Sequence, residues 1–352
     1  MQRLVVYVNK NDNETMISLR NLTKRFGEFT AVSNFSLDVR RGEIIGLLGP
    51  NGAGKTTNMK MISRLLLPSE GEVWIRENGN LQRLTAKNKD RLLDQIGFLI
   101  ENPTFYDNMT PKQILSYFAK LKGYPKKEIL ERVQEVLSWV GLTDWIDKKI
   151  GTFSKGMKQK LGIISAMVHD PAILVLDEPQ TGLDPKARRE VRNLLVNLKH
   201  QGKTIFLSSH LLYEVSEISD RIAIINYGKL IAYDTIYNLE TITQDSVLKI
   251  ELLKIPENID QKRYQLESLI KPITGKKNGA GAVLFNSDTK IFEVKFDGSL
   301  EKQYKILKVL TKAEIDVVDF SVPKTSSLED LYISLISGVT NYSQPKQVEE
   351  IK

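Results

Sequence analysis

The stretch GPNGAGKTT, Gly49 to Thr57, limits what this chain can become more than any other feature. It fits G-x-x-x-x-G-K-[ST], with Gly49, Gly54, Lys55 and Thr56 in the defining places, between the apolar EIIGLL and the helical-looking NMKMISRLL. That order predicts strand, loop, helix. Glycines let the loop, which also holds Pro50, Asn51, Gly52, Ala53 and Thr57, turn successive N–H groups inward, and the positive end of the helix dipole points the same way. A phosphate chain fits such a cradle. Lys55 is expected to reach the outer phosphates, and Thr56 offers a hydroxyl suited to Mg2+, a hard ion that keeps several waters.

The apolar run Ala172 to Leu176 leads directly into Asp177 and Glu178, the pattern of a central parallel strand buried on both faces. Ligands of open α/β sheets lie at the carboxyl ends of their strands. Asp177 is therefore placed to hold magnesium through its water shell, and Glu178 to orient or deprotonate an attacking water. Between these two motifs, Ser154-Lys155-Gly156 opens a stretch in which Met157, Leu161, Ile164 and Val168 recur at helical spacing. Its free N–H groups, the Ser154 hydroxyl and the small Gly156 form a second anion site without a P-loop lysine. A single chain would then carry two phosphate-binding helix ends, which is economical if the second closes over nucleotide held by a partner.

With these residues in place, the chain resembles the ATP-binding subunit of ABC transporters from about Ile17 to Leu239. GPNGAGKT resembles the Walker A loop, FSKGM a variant of the LSGGQ signature, ILVLDE the Walker B strand, TGLD (Thr181 to Asp184) the D-loop and SSH (Ser208 to His210) the switch-histidine loop. The resemblance implies ATP and Mg2+ as ligands, Glu178 and His210 as catalytic groups, and Asp184 beside the nucleotide. His210 would touch the γ-phosphate. Phe26 falls where the family places an adenine-stacking ring, a task that needs only a flat π face. Glu101 stands where the family has a glutamine; as an acceptor it is expected to bind magnesium or orient water. The segment ENPTFY, Glu101 to Tyr106, resembles that of bacitracin-type exporters, and its Phe105 and Tyr106 are expected to face a membrane subunit. His169 and His200 are read as surface residues or caps at helix ends.

Composition bounds the rest. The chain has 352 residues and no cysteine, so it suggests two domains and excludes disulfide frameworks and thiolate metal sites. No apolar run reaches membrane-spanning length, so any spanning part is assigned to separate permease subunits. From Asp245 onward 16 Lys plus Arg stand against 16 Asp plus Glu, so the whole net charge of +7 lies upstream. That bias suits triphosphate binding and membrane proximity and is too diffuse for a nucleic-acid partner, while ATP chemistry and the lack of an export signal point to the cytoplasmic face of the membrane.

The expected architecture is α/β: a P-loop NTPase cassette of ABC type with an inserted helical subdomain, followed by a small C-terminal α+β domain. Residues 1–15 are read as an extension, 16–240 as the cassette with its helical part near 101–171, 245–340 as the accessory domain and 341–352 as a flexible tail. Thr110-Pro111-Lys112-Gln113 predicts a capped helix start, Gly141 a helix end, and Ser326 to Glu329 a capping box for the last helix. The partners implied by the resemblance are permease subunits and a second ATP-binding subunit, a copy or a paralogue. A soluble ABC-type ATPase acting on ribosomes or DNA is the alternative, disfavoured by one cassette and no sustained heptads. An ordinary P-loop kinase or GTPase leaves FSKGM, TGLD and His210 without a role.

Overall fold

Alternating apolar and polar residues build one sheet of this chain, and unbroken apolar runs build another. The computed structural model describes residues 14–242, 246–255, 258–274, 283–287, 289–296, 299–313, 315–321 and 328–337. Strands β1 (Thr15–Phe26) and β2 (Phe29–Arg40) form a long hairpin. β3 (Ile44–Leu48) leaves it for the second sheet, and β4 (Glu70–Glu77) and β5 (Asn80–Arg83) return, giving the antiparallel order β2-β1-β4-β5. Strands β6 (Ile96–Leu99), β7 (Ile173–Leu176), β8 (Thr204–Ser209), β9 (Arg221–Asn226) and β10 (Lys229–Thr235) join β3 in a six-stranded sheet ordered β10-β9-β3-β8-β7-β6. All its pairings are parallel except β9 with β10. Every residue of β3 and β7 is buried, as strands covered on both faces require.

Helices cover these strands. α1 (Lys55–Ile62) follows β3, α2 (Lys89–Leu93) precedes β6, and α3 (Pro111–Leu121), α4 (Ile129–Trp139) and α5 (Lys155–Met167) lie between β6 and β7. α6 (Pro185–His200) links β7 to β8, α7 (Leu212–Ser216) follows β8, and α8 (Ile236–Ile242) follows β10. The inserted helices start and stop where their sequence dictates. Thr110 caps α3 through the Gln113 N–H while the Gln113 side chain accepts from the Thr110 N–H, a complete capping box. α4 ends in a Schellman arrangement: Gly141, at φ 65°, donates to the Ser138 carbonyl and Leu142 to that of Leu137.

The described residues fall into two compact units that divide between Ile236 and Tyr237. In the second, β11 (Ser246–Leu252), α9 (Ile259–Thr274), β12 (Val283–Asn286), β13 (Ile291–Phe296), α10 (Leu300–Lys312) and β14 (Val317–Ser321) form a ferredoxin-like β-α-β-β-α-β unit, and α11 (Leu328–Ile336) follows. Its antiparallel sheet runs β12-β13-β11-β14, and Ile250, Phe292 and Val294 meet Leu266, Ile270, Ile306 and Leu310 in its core. The fold class is thus the α/β cassette with helical insert and α+β appendage. The segment through residue 13, the tail from 341 and the Ser326–Ser327 cap lie outside the described residues.

Two features depart from the sequence reading. α9 has no counterpart in it, because Pro272 reads as a stop and the charged residues around Leu266 and Ile270 blur the apolar stripe; the proline falls in the last turn, where few hydrogen bonds are lost. His169 is not a surface residue. It is half-buried beside Phe98, Phe105, Phe118 and Leu121, and burial, helped by Lys122, pushes its pKa down to about 4. Replacing Thr110 with Ala should cost about 1 kcal/mol of local stability, seen as roughly fivefold faster amide exchange across 111–121 with other helices unchanged.

Candidate nucleotide site

The carboxyl ends of β3, β7 and β8 converge, and the sheet order alone brings them together. From β3 the chain enters the loop 49–54 and then α1, whose N-cap is Gly54 at φ 103°. A Cβ there would stand 2.7 Å from the Ala31 carbonyl oxygen, so only glycine lets the loop close against β2. Lys55 is 5% exposed and folds back over the loop, its Nζ donating to the Gly49 and Pro50 carbonyls at 2.8 and 3.1 Å. Thr56 donates to Asp177 Oδ2 at 2.8 Å. From β8, Ser208 donates to Asp177 Oδ1 at 2.5 Å and accepts from the Glu178 N–H at 2.9 Å.

Glu178 is the hub of the site. Its Oε1 lies 3.4 Å from Lys55 Nζ, and its Oε2 accepts from Thr181 at 2.7 Å and lies 3.0 Å from His210 Nδ1. Its backbone is left-handed, φ 46°, a costly conformation for a glutamate that aims the side chain back over the P-loop. Burial opposes its ionisation, but Thr181, Lys55 and His210 together outweigh burial and hold the carboxyl below its ordinary value of 4.5. An ionised carboxylate only accepts, so Nδ1 carries the His210 proton in this arrangement. With the folded pKa depressed, this network stabilises the protein fully above the unfolded-state pKa and loses that contribution as pH falls through the folded value.

The remaining sequence-predicted residues lie elsewhere. Ser154 caps α5 by accepting from the Met157 N–H at 3.2 Å, and Asp184 caps α6 by accepting from the Ala187 N–H at 2.9 Å. Gly156 is small for an internal reason: a Cβ would come within 2.9 Å of the Ala187 Cβ, so α5 and α6 pack through it. Lys155 Nζ rests against Gly182. Thr181, next to Gly182, bonds Glu178, so a chain of contacts runs from the P-loop lysine to the Ser154 region. Phe26 ends β1 opposite Phe29, half exposed, with Lys24 Nζ 5.1 Å from its ring centre.

Glu101 is held from α1, one turn beyond Thr56. It ion-pairs with Lys60 of α1 at 2.5 Å, and its backbone is left-handed at φ 65°. The Thr56 hydroxyl and the Asp177 carboxylate, joined at 2.8 Å, are hard oxygens of the kind that fits magnesium, with room for the ion's shell of water and phosphate. Sequence reasoning gave no role to Ser208 or Thr181, although both lie inside recognised motifs. Their hydroxyls are the signal: short donors beside paired carboxylates.

Thr181→Val should raise the Glu178 carboxyl toward 4.5, read from its 13C titration. Ser208→Ala should strand the Glu178 N–H and cost about 1–3 kcal/mol in the denaturation of this unit.

The ABC transporter family model matches residues 32–181. The bacitracin transport ATP-binding protein BcrA of Bacillus licheniformis is 36% identical over 93% of this chain and 99% of its own. Its Enterococcus faecalis namesake is 44% identical over 62% of this chain and 68% of its own. Among solved structures, an ATP-binding subunit of an ABC transporter superposes with a TM-score of 0.58 at 30% identity, covering 64% of this chain and 92% of that one. A cassette solved as a dimer in a post-hydrolysis state with ADP and Pi gives 0.56 at 26% identity, over 62% and 98%.

Proposed function

This chain belongs to the ATP-binding subunits of ABC transporters, and from that premise we propose that it binds and hydrolyses Mg-ATP in a cleft shared with a second such subunit, powering export through separate membrane subunits. The observation that carries the reading is the Lys55, Thr56, Asp177, Glu178, His210 cluster at one end of the parallel sheet. Without ligand, Lys55 is satisfied by loop carbonyls and Glu178. Phosphate oxygens are stronger partners for an ammonium than carbonyls are, so triphosphate entry draws Lys55 toward the β- and γ-phosphates and releases Glu178. Thr56 and Asp177 would hold magnesium, which when bound would supply charge neutralisation at the phosphates.

Glu178, freed on one oxygen and steadied by Thr181, orients the attacking water and takes its proton. His210, whose ring already bears a proton on Nδ1, moves that donor from Glu178 to the γ-phosphate. Phe26 stacks on adenine after Lys24 gives up its face. Ser154 and the N–H groups of α5 close over the γ-phosphate held by the partner, with Asp184 beside it. Glu101, when released from Lys60, would act as an acceptor that binds magnesium or orients water.

The cassette is taken as 16–240, with residues 101–171 as its helical part, and 245–340 as an accessory domain that supports dimerisation. Among the described residues no helix is long and apolar enough to cross a membrane. A place on the cytoplasmic face, held by permease contacts, follows from the proposed role. Exposed Tyr106, with Phe105 at a hollow of about 330 Å3 lined by Phe98, Phe118 and Leu121, forms the face for a permease segment. Export matches relatives named for bacitracin transport and, in Bacillus subtilis, linearmycin resistance.

Glu178→Gln should retain ATP while steady-state turnover falls at least about 100-fold, and Lys55→Ala should weaken ATP binding about tenfold or more, both measured on purified protein. Normal turnover by the Glu178→Gln protein would remove Glu178 as the base.

A further inference from the structure

Away from the nucleotide cleft, the antiparallel sheet carries a second opening, about 1000 Å3, whose wall holds Arg20 and Arg25 of β1, Arg83 of β5 and Arg64 just beyond α1. None of the P-loop, Asp177, Glu178 or His210 lines it. Two of its arginines are neutralised, Arg25 by Glu70 at 2.5 Å and Arg83 by Glu72 at 3.1 Å. Arg20 and Arg64 make no ion pair among the described residues, although Glu72 stands opposite Arg20 in the β1–β4 register. Arg20 sits over Trp74, its guanidinium carbon 4.4 Å from the ring centre, and makes one long hydrogen bond from Nε to Ser18 at 3.4 Å. The ring contact holds that guanidinium at the wall and leaves its terminal N–H groups for a ligand.

Arg64 is the odder residue. Its guanidinium has neither carboxylate nor hydrogen-bond partner among the described residues, although the side chain is half-buried at the opening. Its backbone is left-handed at φ 58°, where a glycine would sit at ease and an arginine is strained. That conformation closes α1: Arg64, just past the Ser63 cap, donates its N–H to the Met61 carbonyl, so the helix end fixes where its side chain leaves the backbone.

We propose that this opening is a second anion site, taking a phosphate-bearing polar molecule between Arg20 and Arg64. Guanidinium forks match paired phosphate oxygens, and Arg20 and Arg64 bring two of them to one opening from different elements. The remaining space is large for phosphate alone and lies at the upper end of small-molecule sites, so the anion carries a sizeable body. Asn21, Thr23, Asn34 and Ser69 in the wall make that body polar, such as a sugar or glycerol unit. The chemistry fits a free phosphorylated metabolite and a phospholipid headgroup alike. It goes beyond ATP hydrolysis and does not depend on it.

The test uses the full chain saturated with Mg2+ and a non-hydrolysable ATP analogue, so that the P-loop is filled. Glycerol 1-phosphate is titrated by calorimetry, and phosphatidylglycerol vesicles are compared with phosphatidylcholine vesicles by co-sedimentation. Saturable binding of the first marks a soluble ligand, and binding of the second alone marks a headgroup. In either case Arg64→Gly and Arg20→Gln should each weaken binding about tenfold or more. Arg64→Gly should leave the unliganded melting temperature unchanged or raise it, since glycine relieves the backbone, which separates loss of a ligand from loss of fold. Binding by neither probe, equal binding by both variants, or binding only when the nucleotide is withheld would overturn the site.

Discussion

A single carboxylate ties the catalytic end of the sheet together. Asp177 accepts from Thr56 of α1 through one oxygen and from Ser208 of β8 through the other, while Ser208 also holds the backbone N–H of Glu178. Three elements far apart in sequence are locked by one buried side chain that is 5% exposed. Charge-assisted hydrogen bonds to a buried carboxylate are strong, and leaving such a group without donors is expensive. The position of the P-loop relative to Glu178 is set by this junction, and every proposed step inherits its geometry.

The junction also explains why the cluster lies ready but unfinished. Lys55, Glu178, Thr181 and His210 satisfy one another, so the network must be re-partnered rather than built when a triphosphate enters. Ser154 and the start of α5 are joined to the cluster only indirectly, through Lys155 against Gly182 and Thr181 against Glu178. Changes at the hydrolytic carboxylate therefore have a short path to the surface proposed to face a second subunit.

Much of this was legible in the sequence, and what was not has physical causes. Motif order and unbroken apolar strands carried the fold class, because β3 and β7 can be buried on both faces only in a parallel sheet covered by helices. Local signals also carried the capping box of α3 and the stop at Gly141. Tertiary pairings were beyond reach. The Lys60–Glu101 pair joins α1 to the end of β6, and no spacing rule relates those positions. The packing of Gly156 on Ala187 joins two helices separated by β7, and His169 was misplaced because burial depends on what packs over a helix end. α9 was lost to a proline whose effect depends on where in the helix it stands.

The central claim is that each chain holds half of a nucleotide cleft. Sedimentation velocity of the Glu178→Gln protein across a dilution series, with ATP and then with ADP, tests it most directly. The account predicts a species of twice the chain mass with ATP that returns to single-chain mass with ADP. Single-chain mass at every concentration with ATP bound, beside rapid ATP hydrolysis by the unaltered protein under the same conditions, would contradict it.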